Sequence, residues 1–320
     1  HHFFNEFNPG VGVTRKFGDI SVYASYKESS RNPSVAELGC ADPDQPCRLP
    51  NSFQADPPLD MVKNRNIELG ARGVKAYNLF GMNHNINWNA SAYAGRNFND
   101  IIFIGGNRVG TGYFRNVGNT QRMGTELGLN GKLGNKLSWY GNYSYVRATF
   151  ETSQNISSAG HSSNPFECDG AIAGATANDQ DACESSEGYQ IGVGPGDAIP
   201  GLSPHVTRIG IGYAPTESFS MALDTEYNSN QFYRGDENNH HGQKVPGYFL
   251  LNASAEFKLP LKANSPFSTV FFLDGRNLLD TNFETGGIVA ENEVEGTGGS
   301  GTFVTPGQPL SIMGGMHIRW

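Results

Sequence analysis

The chain has 320 residues, enough for one large β domain or two ordinary ones, and carries a net charge of −8 with no basic block or Lys/Arg stripe, which argues against nucleic acid as a partner. Charged residues make up only 17%, while aromatics reach 11% and glycine numbers 41, a balance that suits strands and turns better than helices. No apolar run approaches the ~18 residues of a spanning helix, which excludes a helical membrane protein and leaves a membrane β-barrel open.

The chain opens at His1-His2-Phe3-Phe4 with neither an initiator Met nor a signal peptide, as if cut. A period of two then dominates. Strands are predicted over 6–16 and 19–29, where Ile20, Val22, Ala24 and Tyr26 alternate with Ser21, Tyr23, Ser25 and Lys27. A long loop over 30–60 holds Cys40 and Cys47. Strands follow over 61–73 and 82–102, the second with Ile86, Trp88, Ala90 and Ala92 on one parity. After a loop over 103–111 come 112–131, with Met123, Thr125, Leu127 and Leu129 in phase, and 137–150. The loop over 151–204 holds Cys168 and Cys183. Strands are predicted next over 205–213 and 218–234, then, past a loop over 235–245, over 246–258 and 267–279. A loop over 280–308 leads to the last strand, 309–320. That makes about eleven strands, joined by alternating short and long connections. Compact soluble domains rarely carry several structureless loops this long, whereas transmembrane barrels have short turns on one side and long loops on the other.

The four cysteines fall as two close pairs, each in a polar loop. Even number and local pairing point to two disulfides in an oxidising compartment; the competing metal reading lacks any Cys-x-x-Cys or a His at ligand spacing.

The polar parity carries Glu68, Arg72, Glu126, Asp224, Glu226, Asp274, Arg276 and Arg319. In a soluble sandwich these would face water outside; in a membrane barrel they would line a polar lumen. Strand length favours the membrane arrangement, because a tilted strand needs ~9–11 residues in hydrocarbon. So do the aromatics Trp139, Tyr143, Tyr145 and Trp320 on the apolar parity, which suit interfacial girdles. The expected architecture is therefore an all-β, antiparallel transmembrane β-barrel with about eleven strands present. An odd count would put the N-terminus on the long-loop side and leave two unpaired edges in lipid, so about as many strands again are expected upstream.

Several stretches resemble the C-terminal half of the barrel of TonB-dependent outer-membrane receptors. Arg31-Asn32-Pro33-Ser34 followed by Ala36-Glu37-Leu38 is similar to that family's R-x-P-x-x-x-E-L signature. Asn66-Ile67-Glu68-Leu69-Gly70, Tyr248 to Asn252, Asn277-Leu278-Leu279-Asp280 and Pro306-Gly307 follow in family order across nearly the whole chain. The final Met316, Ile318 and Trp320 resemble the family's C-terminal insertion signal, with Trp where Phe is usual. The resemblance implies about half of a 22-stranded barrel, in the bacterial outer membrane, with the plug domain and TonB box absent from this chain. It implies TonB-dependent import of a scarce large nutrient, most often a ferric siderophore. The implied partners are outer-membrane lipid, the barrel-assembly machinery and the TonB complex, reached through the N-terminal part. A passive porin and a soluble all-β glycan-binding protein are the alternatives.

No catalytic constellation stands out, and no cofactor or metal site is assigned; the Gly298-Gly299-Ser300-Gly301 run lacks the following helix that phosphate cradling needs. Phe232, Tyr233 and Arg234, at the outer end of a strand, read as an aromatic girdle or as a stack for a planar or anionic ligand. Asp236, Glu237, His240 and His241 read as a solvated loop rather than a metal site. Together with Arg31, the residues Phe232, Tyr233, Arg234, Asp236, His240 and His241 form the candidate ligand-contact set. Asp274 and Arg276 are expected to pair inside the lumen.

Overall fold

The alternating pattern resolves into an antiparallel meander with an apolar and a polar face. The structure, a computed structural model, describes residues 4–42, 59–79, 81–105, 111–158, 160–162, 190–260, 267–292 and 299–319. In chain order the first elements are β1 (Gly10–Phe17), β2 (Ile20–Arg31), the short helix α1 (Val35–Leu38), β3 (Val62–Leu79), β4 (Met82–Phe98), β5 (Ile101–Gly105) and β6 (Gly112–Asn116). Next come β7 (Thr120–Leu133), β8 (Leu137–Phe150), β9 (Gln154–Ser157), β10 (Gln190–Val193), β11 (His205–Thr216) and β12 (Phe219–Asn228). The last are β13 (Gln231–Phe232), β14 (Lys244–Val245), β15 (Tyr248–Lys258), β16 (Ser268–Arg276), β17 (Glu284–Asn292), β18 (Gly299–Pro306) and β19 (Ser311–Arg319).

Eleven of these strands form one sheet in the order β1-β2-β3-β4-β7-β8-β11-β12-β15-β16-β19. The sheet is open, with β1 and β19 at its edges. The other eight pair off inside the long connections as β5/β6, β9/β10, β13/β14 and β17/β18. Several of the long loops therefore have hairpins of their own, contrary to the expectation of structureless links. Each hairpin satisfies backbone groups that a long loop would otherwise leave to water.

The cross-strand register fixes the faces. Val22, Ala71, Ala90, Leu127, Tyr143, Thr207, Tyr227 and Phe249 lie directly opposite one another across eight strands. One residue along, Ser21, Arg72, Asn89, Gly128, Asn142, Arg208 and Glu226 form the matching row on the other face. By the same register, Glu68, Glu126, Asp224, Asp274, Arg276 and Arg319 all join the polar face. Met316 and Ile318 lie on the apolar one; Trp320 is outside the described residues.

The apolar face is not buried by the chain. Leu127, Leu223 and Ile318 are 47%, 48% and 46% exposed, and the same holds along the face from Val13 to Ile312. An apolar band this wide far exceeds the few hundred Å² tolerated in water, so it needs a hydrocarbon partner. The buried hydrophobic clusters sit instead at the long-loop end. One comprises Ile104, Tyr113, Val117, Phe150, Ile156, Ile191 and Val193. Two smaller ones form around Leu59 and Ile101, and around Tyr233, Val245 and Val289.

Boundaries differ from the sequence reading where a loop hairpin continues the alternation. The predicted run 82–102 breaks at Asn99, which has φ 54°, and the run 112–131 breaks at Gly118, which has φ 72°. Asp100 N–H donates to the Gly118 carbonyl there, at 2.8 Å, so the break is a built corner. Gly118 is required twice over: its φ suits glycine, and a Cβ would sit 2.8 Å from the Thr152 hydroxyl. The run 218–234 likewise divides into β12 and β13, whereas β3 extends past residue 73 to Leu79 by pairing with β4 up to the turn at Gly81.

Candidate functional site

The long-loop end gathers the chemistry. Three connections meet there, those over 151–204, 229–247 and 277–310. The short pairing β13/β14 brings Tyr233 to Val245 together, and the backbone of Arg234 bonds to β17 through Gly287 (3.0 Å) and Val289 (2.7 Å).

At the junction the Asp236 carboxylate is fully buried. Its Oδ1 contacts His161 Nε2 at 3.0 Å, with both side chains sealed from solvent, and accepts from the His241 N–H at 3.0 Å. The His161 and His241 rings lie 5.6 Å apart, and Tyr233 meets His241 edge-on at 6.3 Å. Ser158 donates to the Gly235 carbonyl at 2.5 Å. Glu237 Oε1 accepts from the Gly235 N–H at 3.0 Å. Among the described residues Asp236 Oδ2, Glu237 Oε2 and Glu284 Oε2 are buried with no hydrogen-bond partner.

Burial dominates the electrostatics. It raises the Glu237 carboxyl above its ordinary value, with neighbouring Asp236 adding to the rise. It also lowers His241, as does the nearby His161, against an opposing pull from Asp236. Tyr233 is raised by burial and by Glu284. The site is thus a dry ionisable knot that pins three loops together. Among the described residues no group of three or more His, Cys, Asp or Glu is arranged to hold a metal ion.

The candidate ligand-contact set separates on this geometry. Asp236 and Tyr233 are buried, and Glu237 with them, so the solvated-loop reading of this segment does not hold. The alternation of charged and Asn residues looked hydrophilic because its burying partner, His161, lies 75 residues earlier. His161, Ser158 and Glu284 were not legible as site residues for the same reason. Arg234 and His240 are exposed, and His241 and Phe232 are half-buried. The Lys244 ammonium already caps the Phe232 ring, 3.9 Å from its centroid. Arg31 is occupied too: it pairs with Glu37 at 2.6 Å, while Glu37 and Ser34 form a capping box on α1.

On the polar face, Arg208 pairs with Glu226 at 3.2 Å, Tyr23 donates to Glu68 at 2.7 Å, and Asn252 donates to Asp224 at 3.1 Å. Asp274 and Arg276 do not form the expected ion pair. Cys40 is buried and disulfide-bonded; Cys47, Cys168 and Cys183 lie outside the described residues.

With this geometry in place, the comparison with known families is decisive. The family model for the TonB-dependent receptor-like β-barrel matches residues 1–278. The chain belongs to the TonB-dependent receptor family, in its β-barrel domain. As a TonB-dependent receptor barrel it is an outer-membrane protein that crosses with strands. Among curated proteins none matches the sequence. Solved structures share the fold. The ferric-catecholate import receptor Fiu from E. coli K12 aligns with TM-score 0.54 and 16% identity, over 98% of this chain and 34% of its own. The ferric yersiniabactin uptake receptor FyuA from Yersinia pestis aligns with TM-score 0.57 and 14% identity, over 98% and 36%. The copper transporter OprC aligns with TM-score 0.56 and 16% identity, over 97% and 38%. The receptor chain described here thus spans little more than a third of each solved relative.

Proposed function

We propose that this chain forms the C-terminal wall and loops of a TonB-dependent importer of a metal chelate, a ferric siderophore in the first instance. The carrying observation is the combination of a continuous lipid-type face, a charged opposite face, and three long loops knotted at one end. That combination supports a water-lined wall topped by a pre-formed binding rim. The receptors of like fold named for ferric-catecholate, ferric yersiniabactin and copper support the ligand class. Exposed Arg234 and His240, with half-buried Phe232, are the side chains offered to an anionic, partly aromatic chelate. In this reading a plug domain and TonB box belong to the N-terminal part, and Cys40 pairs with Cys47, as Cys168 does with Cys183, to brace the loops.

The test is uptake of radiolabelled iron from a panel of ferric siderophores by a strain expressing the full-length protein. The reading requires uptake of at least one chelate that stops when TonB is removed. Uptake indifferent to TonB would instead mark a passive channel, and no uptake of any chelate would remove the siderophore assignment.

A further inference from the structure

Near the long-loop end, the mainly apolar membrane-facing surface carries a cluster of arginines. Arg65 on β3 and Arg96 on β4 lie directly opposite each other in register. They share a face with Ile67, Ala94 and Met123, the apolar face, and stand one step further toward the long loops. Arg147 on β8 lies on the same face, opposite Met123. Strand spacing and rise put its Cα roughly 12 Å from that of Arg96. Lys63 lies opposite Phe98 just above them.

Like charges directly opposite on adjacent strands destabilise a sheet. Here they are also drawn together: both guanidinium groups lie over the one Phe98 ring, at 5.1 Å for Arg65 and 5.6 Å for Arg96. Internal neutralisation is partial. Lys63 pairs with Glu6 at 2.6 Å, and Arg65 makes a longer contact with Glu28 at 3.4 Å while staying 58% exposed, a pair that contributes little. Among the described residues Arg96 and Arg147, both exposed, have no carboxylate within ion-pair distance. Long loops mark the outer side of such a barrel, so this basic group sits where the hydrocarbon belt meets the outer-leaflet headgroups.

We propose that Arg65, Arg96 and Arg147 form a docking site for a phosphate-bearing headgroup of an outer-leaflet lipid. A phosphate accepts from two converging guanidinium groups in the geometry that arginine recognises best, and supplies the missing counter-charge. Phe98 fixes the two side chains beforehand, so less freedom is lost on binding. The lipid's acyl chains then lie along the apolar rows directly below. The site depends on the membrane placement of the barrel and not on the transported ligand, so a failed uptake assay leaves it standing.

The test uses the full-length protein reconstituted in phosphatidylcholine vesicles, with or without phosphatidic acid. Phosphatidic acid raises the thermal midpoint of the native protein. The R96Q/R147Q double variant loses that rise and retains the phosphorylated lipid about 30-fold less, roughly fivefold per arginine. The R15Q variant, on the same face at the opposite end of its strand, keeps the rise. Should the double variant fail to assemble, R96Q alone reads the fivefold loss. Equal rises in all variants would overturn the site. A rise produced equally by inorganic phosphate without lipid would overturn the lipid assignment.

Discussion

At the scale of single residues, the loop knot makes opposite demands on two adjacent carboxylates. Asp236 is buried against His161 and the His241 N–H, so it is held by specific partners. Replacing it by Asn keeps the shape and removes the charge-assisted contact; D236N is expected to loosen the junction by about 1–3 kcal/mol. Hydrogen exchange should accelerate at the His241 amide in that variant, while amides of β7 stay unchanged. Glu237 has its pKa raised by burial first and then by the neighbouring Asp236, and one of its oxygens has no partner among the described residues. A raised carboxyl contributes its full stability below the ordinary carboxylate range and loses it as pH rises through the folded-state value. Loop order measured by hydrogen exchange should therefore decline toward alkaline pH, and E237Q should flatten that decline. A profile unchanged by E237Q would mean that another group drives it.

At the scale of elements, the hairpins inside the loops explain both what the sequence disclosed and what it hid. The strands of the sheet were legible because period-two alternation depends only on neighbours along the chain: Ile86, Trp88, Ala90 and Ala92 declare a face without knowing their partners. The corner between β4 and β5 was missed, although Asn tolerates the left-handed region, because Phe98 and Ile102 keep the parity of Trp88 across it. What makes the corner is a cluster contributed from both sides. Asp100 accepts from the Thr120 hydroxyl at 2.6 Å, from Arg122 at 3.0 Å and from Asn97 at 3.1 Å. Burial alone would raise the Asp100 carboxyl; the Thr120 hydroxyl and the Arg122 charge outweigh it and hold the group below the usual range. A lowered carboxyl stabilises above the unfolded pKa of ~3.9 and loses that contribution as pH falls. The β5/β6 hairpin should accordingly fray in acid before the sheet does. D100N should reproduce the fraying at neutral pH, at a cost of about 1–3 kcal/mol. Hydrogen exchange at the backbone amides of β5 and β6, against those of β7, reads both effects.

At the scale of the whole molecule, the placement in the membrane reduces to which face meets water. Composition could not say, since a sandwich and a barrel share the same alternation. The register separates the faces, collecting Glu68, Arg72, Glu126, Asp224 and Glu226 on one side and leaving the opposite side mainly apolar and uncovered. The loop knot was illegible in the sequence because it joins residues 75 apart, and only folding brings those together. The two faces then predict opposite responses to the same new charge at the same height. Leu127 lies mid-strand on the apolar face between Ala90 and Tyr143, so L127R places a guanidinium in hydrocarbon, at a cost of about 2–4 kcal/mol at the bilayer midplane. Ser144 lies on the polar face opposite Glu126, so S144R gains an acidic neighbour in a water-accessible interior and should cost little. Denaturant unfolding of the full-length protein from lipid vesicles should separate the variants by that margin, and outer-membrane levels should fall for L127R alone. If S144R were the damaging substitution and L127R the silent one, the polar face would be the one in contact with lipid, and the inside-out assignment that places every lumen residue would be reversed.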